Sequence, residues 1–200
     1  QFVEMAAAHG RSDNDIDHFK TLALKAVTDM SARRDGLGIL VDDRLGRTAL
    51  HAASDHDFWI GRPIEVSGVF PLTLEEGPDL GSRLAEWPVN HCVKVLAPLR
   101  TDDAEDLIAY HERTLVDLAD ACRRTGHEFL LEIINGRADR YADPDQILAL
   151  MARLYELGIM PDWWKLEPIA DPAFWTRSGD IVRAHDPHLQ GIIVLGKEMP

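Results

Sequence analysis

Three short apolar runs in this 200-residue chain each carry a charged side chain where a buried strand should carry none. They are Pro161-Asp162-Trp163-Trp164-Lys165-Leu166-Glu167-Pro168, His91-Cys92-Val93-Lys94-Val95-Leu96 and Glu128-Phe129-Leu130-Leu131-Glu132-Ile133-Ile134. In a strand, side chains alternate between two faces, so the first run sets Lys165 and Glu167 against Trp164 and Leu166. A charge is costly to bury unless it is paired or hydrogen-bonded. Recurring at comparable strand positions, these charges predict a polar pocket at one end of a sheet.

Between the apolar runs lie longer amphipathic segments. Helices are predicted from Phe19 to Ser31, from Asp102 to Thr125 with Gly126 as the stop, and from Asp143-Pro144 through Tyr155 with Gly158 closing it. Arg44 to Ala53 forms a short helix or loop, and so does the stretch through Trp175 and Ile181. Strands are predicted at Gly38 to Asp42, Ile64 to Gly68, His91 to Leu96, Glu128 to Ile134, the tryptophan-lysine run, and Gly191 to Gly196. Strands joined by helical crossovers imply right-handed βαβ units in a parallel α/β sheet.

Two architectures compete for that order, an open doubly wound sheet and a (β/α)8 TIM barrel. Neither a glycine-rich dinucleotide fingerprint after the first strand nor a phosphate-loop lysine motif is present. Asp42, Lys94, Glu132, Lys165 and Glu167 instead fall near strand ends all along the chain. A barrel brings every such end to one mouth, whereas an open sheet offers a single switch point. A full barrel usually needs about 250 residues. The expectation is therefore one incomplete TIM-barrel domain over residues 1–200, lacking its first and last strands.

Composition narrows the partners. A hydrophobic share of 46% supplies one sizeable core. With 21 basic against 34 acidic residues, the net charge of -13 argues against a nucleic-acid surface. No apolar run reaches the roughly 18 residues that a membrane-spanning helix needs, and no signal peptide is visible. Cys92 and Cys122 lie far apart, in a predicted strand and a predicted helix, which favours a reducing compartment and a cytoplasmic location. The oligomeric state stays open between a monomer and a homo-oligomer.

For the pocket chemistry, Lys165 has two readings: a catalytic amine, or half of a structural ion pair with Glu167 or Glu132. Catalysis would require it neutral, which an apolar wall such as Trp163 or a second ammonium such as Lys94 favours. Lys94 alternatively binds a substrate phosphate or hydroxyl. Asp42 and Glu132 are candidates for proton transfer or hydroxyl binding, with loop capping as the alternative. Arg62 and Glu65 flank the strand before Lys94 and could reach the pocket mouth. Asp43 and Cys92 are read as loop and core. Metal chemistry is the rival. The nine histidines show no short-range zinc pair on a recognisable element, while a magnesium site from Asp42, Glu132 and Glu167 needs no histidine.

Gly38-Ile39-Leu40-Val41-Asp42-Asp43-Arg44-Leu45-Gly46, Trp59-Ile60-Gly61-Arg62-Pro63-Ile64-Glu65, Leu84-Ala85-Glu86-Trp87-Pro88, His91-Cys92-Val93-Lys94 and the tryptophan-lysine run together resemble the domain often fused behind the sugar kinase of bacterial myo-inositol catabolism. That domain is in turn similar to class I tagatose-bisphosphate aldolases. The resemblance implies a (β/α)8 enzyme in which Lys165 is the Schiff-base lysine of the sixth strand, Lys94 the lysine of the fourth, Glu132 the glutamate of the fifth and Asp42 the aspartate of the second. It also implies a first strand before Gln1 and a glycine-rich, phosphate-binding eighth strand after Pro200. The expected activity is aldol cleavage of a phosphorylated keto sugar acid, 5-dehydro-2-deoxy-6-phosphogluconate, to dihydroxyacetone phosphate and malonate semialdehyde. Lys165 and Glu132 would be catalytic, and Lys94, Asp42, Glu167, Arg62 and Glu65 would bind substrate, with no cofactor or metal. The alternatives are a non-catalytic sugar-phosphate-binding domain of a kinase fusion and a sugar-phosphate isomerase or epimerase.

Overall fold

A computed structural model describes residues 2–75, 77, 79–136 and 142–196. The elements follow one another as α1 (Phe2–Ala8), α2 (Asp13–Ser31), β1 (Gly38–Leu40), α3 (Arg47–Ala53), β2 (Trp59–Pro63), α4 (Leu80–Leu84), β3 (His91–Pro98), α5 (Glu105–Thr125), β4 (Phe129–Ile134), α6 (Pro144–Glu156), β5 (Trp163–Leu166), α7 (Pro172–His185) and β6 (Gly191–Val194). All six strands pair in parallel, and their order in the sheet is their order in the chain. A doubly wound sheet reverses its order at a switch point; this one never does. The fold is an open (β/α) barrel, a six-stranded parallel half-barrel with helices on its outer side.

One strand lies earlier than the residue pattern predicts. Ile64 to Gly68 is not a strand; β2 is Trp59–Pro63, and Ile64 to Glu75 folds back on itself. That fold is a small hairpin, with Val66 N–H donating to Thr73 O at 2.8 Å, Glu75 N–H to Ile64 O at 2.8 Å, and an antiparallel bridge between Glu65 and Leu74. Two short helices, α1 and α4, also add to the expected set.

The helices start and stop where local chemistry requires. Asp143 caps α6 by accepting from the amides of Asp145 and Gln146, with Pro144 in the first turn, and Asp171 with Pro172 repeats the device on α7. Gly126 ends α5 at a φ of 79°, a conformation that favours glycine.

Alternation divides the strand residues between two environments. Val93, Val95, Ala97, Phe129, Leu131, Ile133, Trp164 and Leu166 face the helices and form one core with Leu115, Leu118, Met151, Leu154 and Phe174. Burial of each large side chain there stabilises the fold by roughly 1.5–3 kcal/mol. Trp164 is fully buried, and its indole N–H donates to the Tyr155 hydroxyl at 2.7 Å. A second, smaller core joins Leu24, Val41, Leu50, Phe58 and Ile60 under α2 and α3. The opposite set, among them Cys92, Lys94, Leu130, Glu132, Trp163 and Lys165, faces the barrel interior. Among the described residues, no helix is long and apolar enough to cross a membrane.

Candidate active site

The interior faces of β3, β4 and β5 bring three charged side chains into one chain of contacts. Glu132 and Lys165 are direct partners in the parallel register. Lys94 starts two residues nearer the strand beginnings, opposite Leu130, and its long stem carries the ammonium up to the level of Glu132. Lys165 Nζ lies 3.1 Å from Glu132 Oε1, and Lys94 Nζ lies 3.0 Å from Glu132 Oε2. Lys94 also reaches Glu65 Oε1, at 2.5 Å. The result is an alternating series, Lys165, Glu132, Lys94, Glu65, in which each carboxylate answers an ammonium.

Burial separates the roles these groups can play. The Lys94 and Glu132 side chains are 5% and 3% exposed, whereas Lys165 is 18% exposed and so is the amine that a ligand in the interior can reach. Glu132 is clamped, because each of its oxygens faces an ammonium and withdrawing it would leave Lys165 without a carboxylate partner among the described residues. Glu65 is less content. Its Oε2 is buried and has no hydrogen-bond partner among the described residues, a state that typically costs about 1–3 kcal/mol.

Beneath the charges, two half-buried aromatic rings line the interior. Trp59 of β2 and Trp163 of β5 each donate an indole N–H to Glu128 Oε2 at 3.0 Å, and Gln190 donates to Oε1 at 2.9 Å. The two indoles meet edge to face with centroids 6.1 Å apart. Burial alone would raise the Glu128 pKa, but the hydrogen bonds from Gln190, Trp163 and Trp59 outweigh it and hold the carboxyl below its ordinary value. Gly61 makes room for this floor, since a Cβ there would sit 2.9 Å from the Trp59 ring. Cys92 is buried below Lys94, and burial pushes its thiol far above the ordinary range. Cys122 is pushed up to about 12 for the same reason, so neither thiol is a ready nucleophile.

The remaining candidates lie outside this cluster. Asp42 binds Lys20 of α2 and accepts from the amide of Leu45 at 2.7 Å, so it fastens the turn after β1 and does not contact Lys94, Glu132 or Lys165. Arg62 points to the helix side of β2, where it bonds Asp43 at 3.2 Å and stacks on Trp87 at 3.6 Å. Asp43 is more than loop filling: hydrogen bonds from Arg47 hold its carboxyl below the usual carboxylate range, and the Arg62 charge adds to them. Glu167 lies just past β5 and turns its carboxylate onto the amides of Asn135 and Gly136, at 2.6 and 3.0 Å, bracing the loop after β4.

Chemically, the series can hold and pass protons between alternating donors and acceptors at hydrogen-bond distance, with one amine at its open end. The three carboxylates considered for magnesium are engaged separately, with Lys20, with the two lysines and with backbone amides. Among the described residues, no group of three or more His, Cys, Asp or Glu is arranged to hold a metal ion. Sequence reasoning missed the tryptophan floor and its Glu128 acceptor. The signal for it was the Trp59-Ile60-Gly61 pattern, in which a glycine lies on the same strand face as a large ring.

Residues 1–200 match the model of a family described as an uncharacterized protein conserved in bacteria, DUF2090, and the chain belongs to that family. No curated protein matches it.

Proposed function

We propose that this DUF2090 protein is a Schiff-base aldolase acting on a phosphorylated keto sugar acid, with Lys165 as the imine-forming amine. The observation that supports this reading best is the placing of Lys165, the most accessible of the linked charged groups on β3 to β5, with its ammonium on the buried Glu132 carboxylate and a second ammonium on the other oxygen. An amine must lose its proton before it can add to a carbonyl, and Glu132 Oε1, 3.1 Å from Lys165 Nζ, is the acceptor in reach.

That amine adds to the substrate ketone, and loss of water gives a protonated imine. A base then removes the proton of the hydroxyl two carbons from the imine carbon. The bond joining that hydroxyl-bearing carbon to the carbon next to the imine breaks, its electrons flow into the imine to give an enamine, and the hydroxyl-bearing carbon leaves as an aldehyde. Protonation of the enamine and addition of water release the ketone product and restore Lys165. For 5-dehydro-2-deoxy-6-phosphogluconate these products are malonate semialdehyde and dihydroxyacetone phosphate. Glu132 is the proton carrier closest to Lys165. The substrate identity, a fused sugar kinase and a cytoplasmic location belong to the same proposal and rest on the family resemblance.

Borohydride reduction in the presence of that substrate should add a stable mass to Lys165 and leave Lys165→Ala unlabelled. Labelling that survives the substitution, or an activity abolished by a chelator, would overturn the imine mechanism. One observation favours a second reading: both lysines are ion-paired in the resting arrangement, as a non-catalytic sugar-phosphate-binding domain would keep them. Tight binding of the sugar acid without products would select it.

A further inference from the structure

Glu65 reaches Lys94 from a hairpin rather than from a strand, although its second oxygen is buried without a partner among the described residues. A carboxylate in that state turns away to water unless its backbone is held. The holding contacts are on α5, at the far strand of the hairpin. Leu72, itself buried, has both backbone groups captured by consecutive helix residues: its N–H donates to His111 Nε2 at 3.2 Å, and its carbonyl accepts from the Tyr110 hydroxyl at 2.9 Å. Phe70 closes on the edge of the same imidazole, with centroids 5.8 Å apart. From Leu72 the hairpin runs back through the Thr73–Val66 bond and the Leu74–Glu65 bridge to the carboxylate.

We propose that His111 is a positioning residue, a neutral imidazole acceptor that latches the 64–75 hairpin and thereby seats Glu65 on Lys94. This deepens the aldolase reading, because Glu65 helps fix where the Lys94 ammonium lies beside Glu132. His111 is 1% exposed and never touches the interior. An acceptor nitrogen is lost when the ring takes a second proton, so the latch opens in acid. The groups facing the ring are Tyr110 on its own helix, Arg100 and Asp103 from the turn before α5, and the uncharged Phe70 and Leu72 of the hairpin. Burial opposes that protonation and is the largest influence; Arg100 opposes it too, and Asp103 favours it.

The test needs no substrate. Backbone hydrogen exchange over residues 64–75 and trace acetylation of Lys94 with acetic anhydride are measured by mass spectrometry in the unaltered protein, His111→Leu and His111→Gln. Leucine fills space without accepting, whereas the glutamine Oε1 can replace Nε2. The leucine variant should raise both readouts by about fivefold, the change expected from loss of one ordinary hydrogen bond. Glutamine should restore them, and exchange in β3 and β4 should stay unchanged. Equal behaviour of the two variants, or no change in either, would overturn the latch. Should the leucine variant fail to fold, the unaltered protein still decides. Its hairpin exchange, divided by the intrinsic base-catalysed amide rate at each pH, must rise as pH falls through the His111 ionisation followed by NMR, and a flat corrected profile would refute the proposal. Aldol cleavage that is absent throughout, with these readouts as expected, would sink the enzyme reading and leave the latch standing.

Discussion

Glu132 shows how one side chain sets the stability of its neighbours. Replacing it with glutamine leaves the buried Lys94 ammonium with Glu65 alone and Lys165 with a neutral amide. Breaking a buried pair in this way costs about 3–5 kcal/mol. A urea titration of Glu132→Gln should show that loss, and adding Lys165→Met should recover a large part of it, because Lys165 is the ammonium left without a carboxylate while Lys94 keeps Glu65. Lys94, Glu132 and Lys165 were legible from sequence, since a charge inside an apolar run is visible without knowing the fold. Asp42 was not. Its partner Lys20 lies on a helix that precedes the strand, and no local pattern distinguishes a carboxylate that fastens a turn from one that enters a pocket.

Elements differ in how openly their residues announce them. The α6 start was readable because Asp143-Pro144 is a cap followed by a residue that suits the first helical turn. Asp143→Ala should lower stability by about 1 kcal/mol, seen as a reduced urea midpoint with an unchanged slope. The second predicted strand went wrong for an equally local reason. Trp59–Pro63 contains a glycine and ends in proline, both poor strand residues, whereas Ile64-Glu65-Val66 carries two β-branched side chains. Tertiary packing overrode propensity. Gly61 is required beside the Trp59 ring, and the β-branched stretch became one arm of a hairpin. That displacement also turned Arg62 to the helix side, where Asp43 and Trp87 hold it.

Across the whole molecule, the parallel order was recoverable because alternating apolar and amphipathic segments leave few topologies, and charges near every strand end favour a barrel over a switch point. The response to acid was not recoverable, since it depends on which histidines the folded chain conceals. His91, His111 and His127 are all buried, and burial first of all lowers the pKa of each below 6.5. The unfolded chain therefore binds protons more readily, and stability that is complete above pH 6.5 is lost as pH falls through the lower folded values. Each such group adds a slope of up to about 1.4 kcal/mol per pH unit within its window. Urea midpoints should accordingly fall between pH 7 and pH 5. Asp43 and Glu128, with lowered pKa values, withdraw their contribution only below the ordinary carboxylate range.

The pair of indoles across the interior has an optical consequence. The ring centroids lie 6.1 Å apart with the ring planes inclined at 71°, close enough for the transition dipoles to couple, so Trp59 and Trp163 should produce a split circular-dichroism band in the ultraviolet. Trp59→Phe or Trp163→Phe should each abolish the couplet, while loss of any of the other three of the five tryptophans should leave it intact. The amplitude follows ring separation and angle. A ligand that draws β2 and β5 together or apart would therefore be recorded by the protein's own chromophores, and a titration read by polarised light could detect occupancy of the interior before any product is identified.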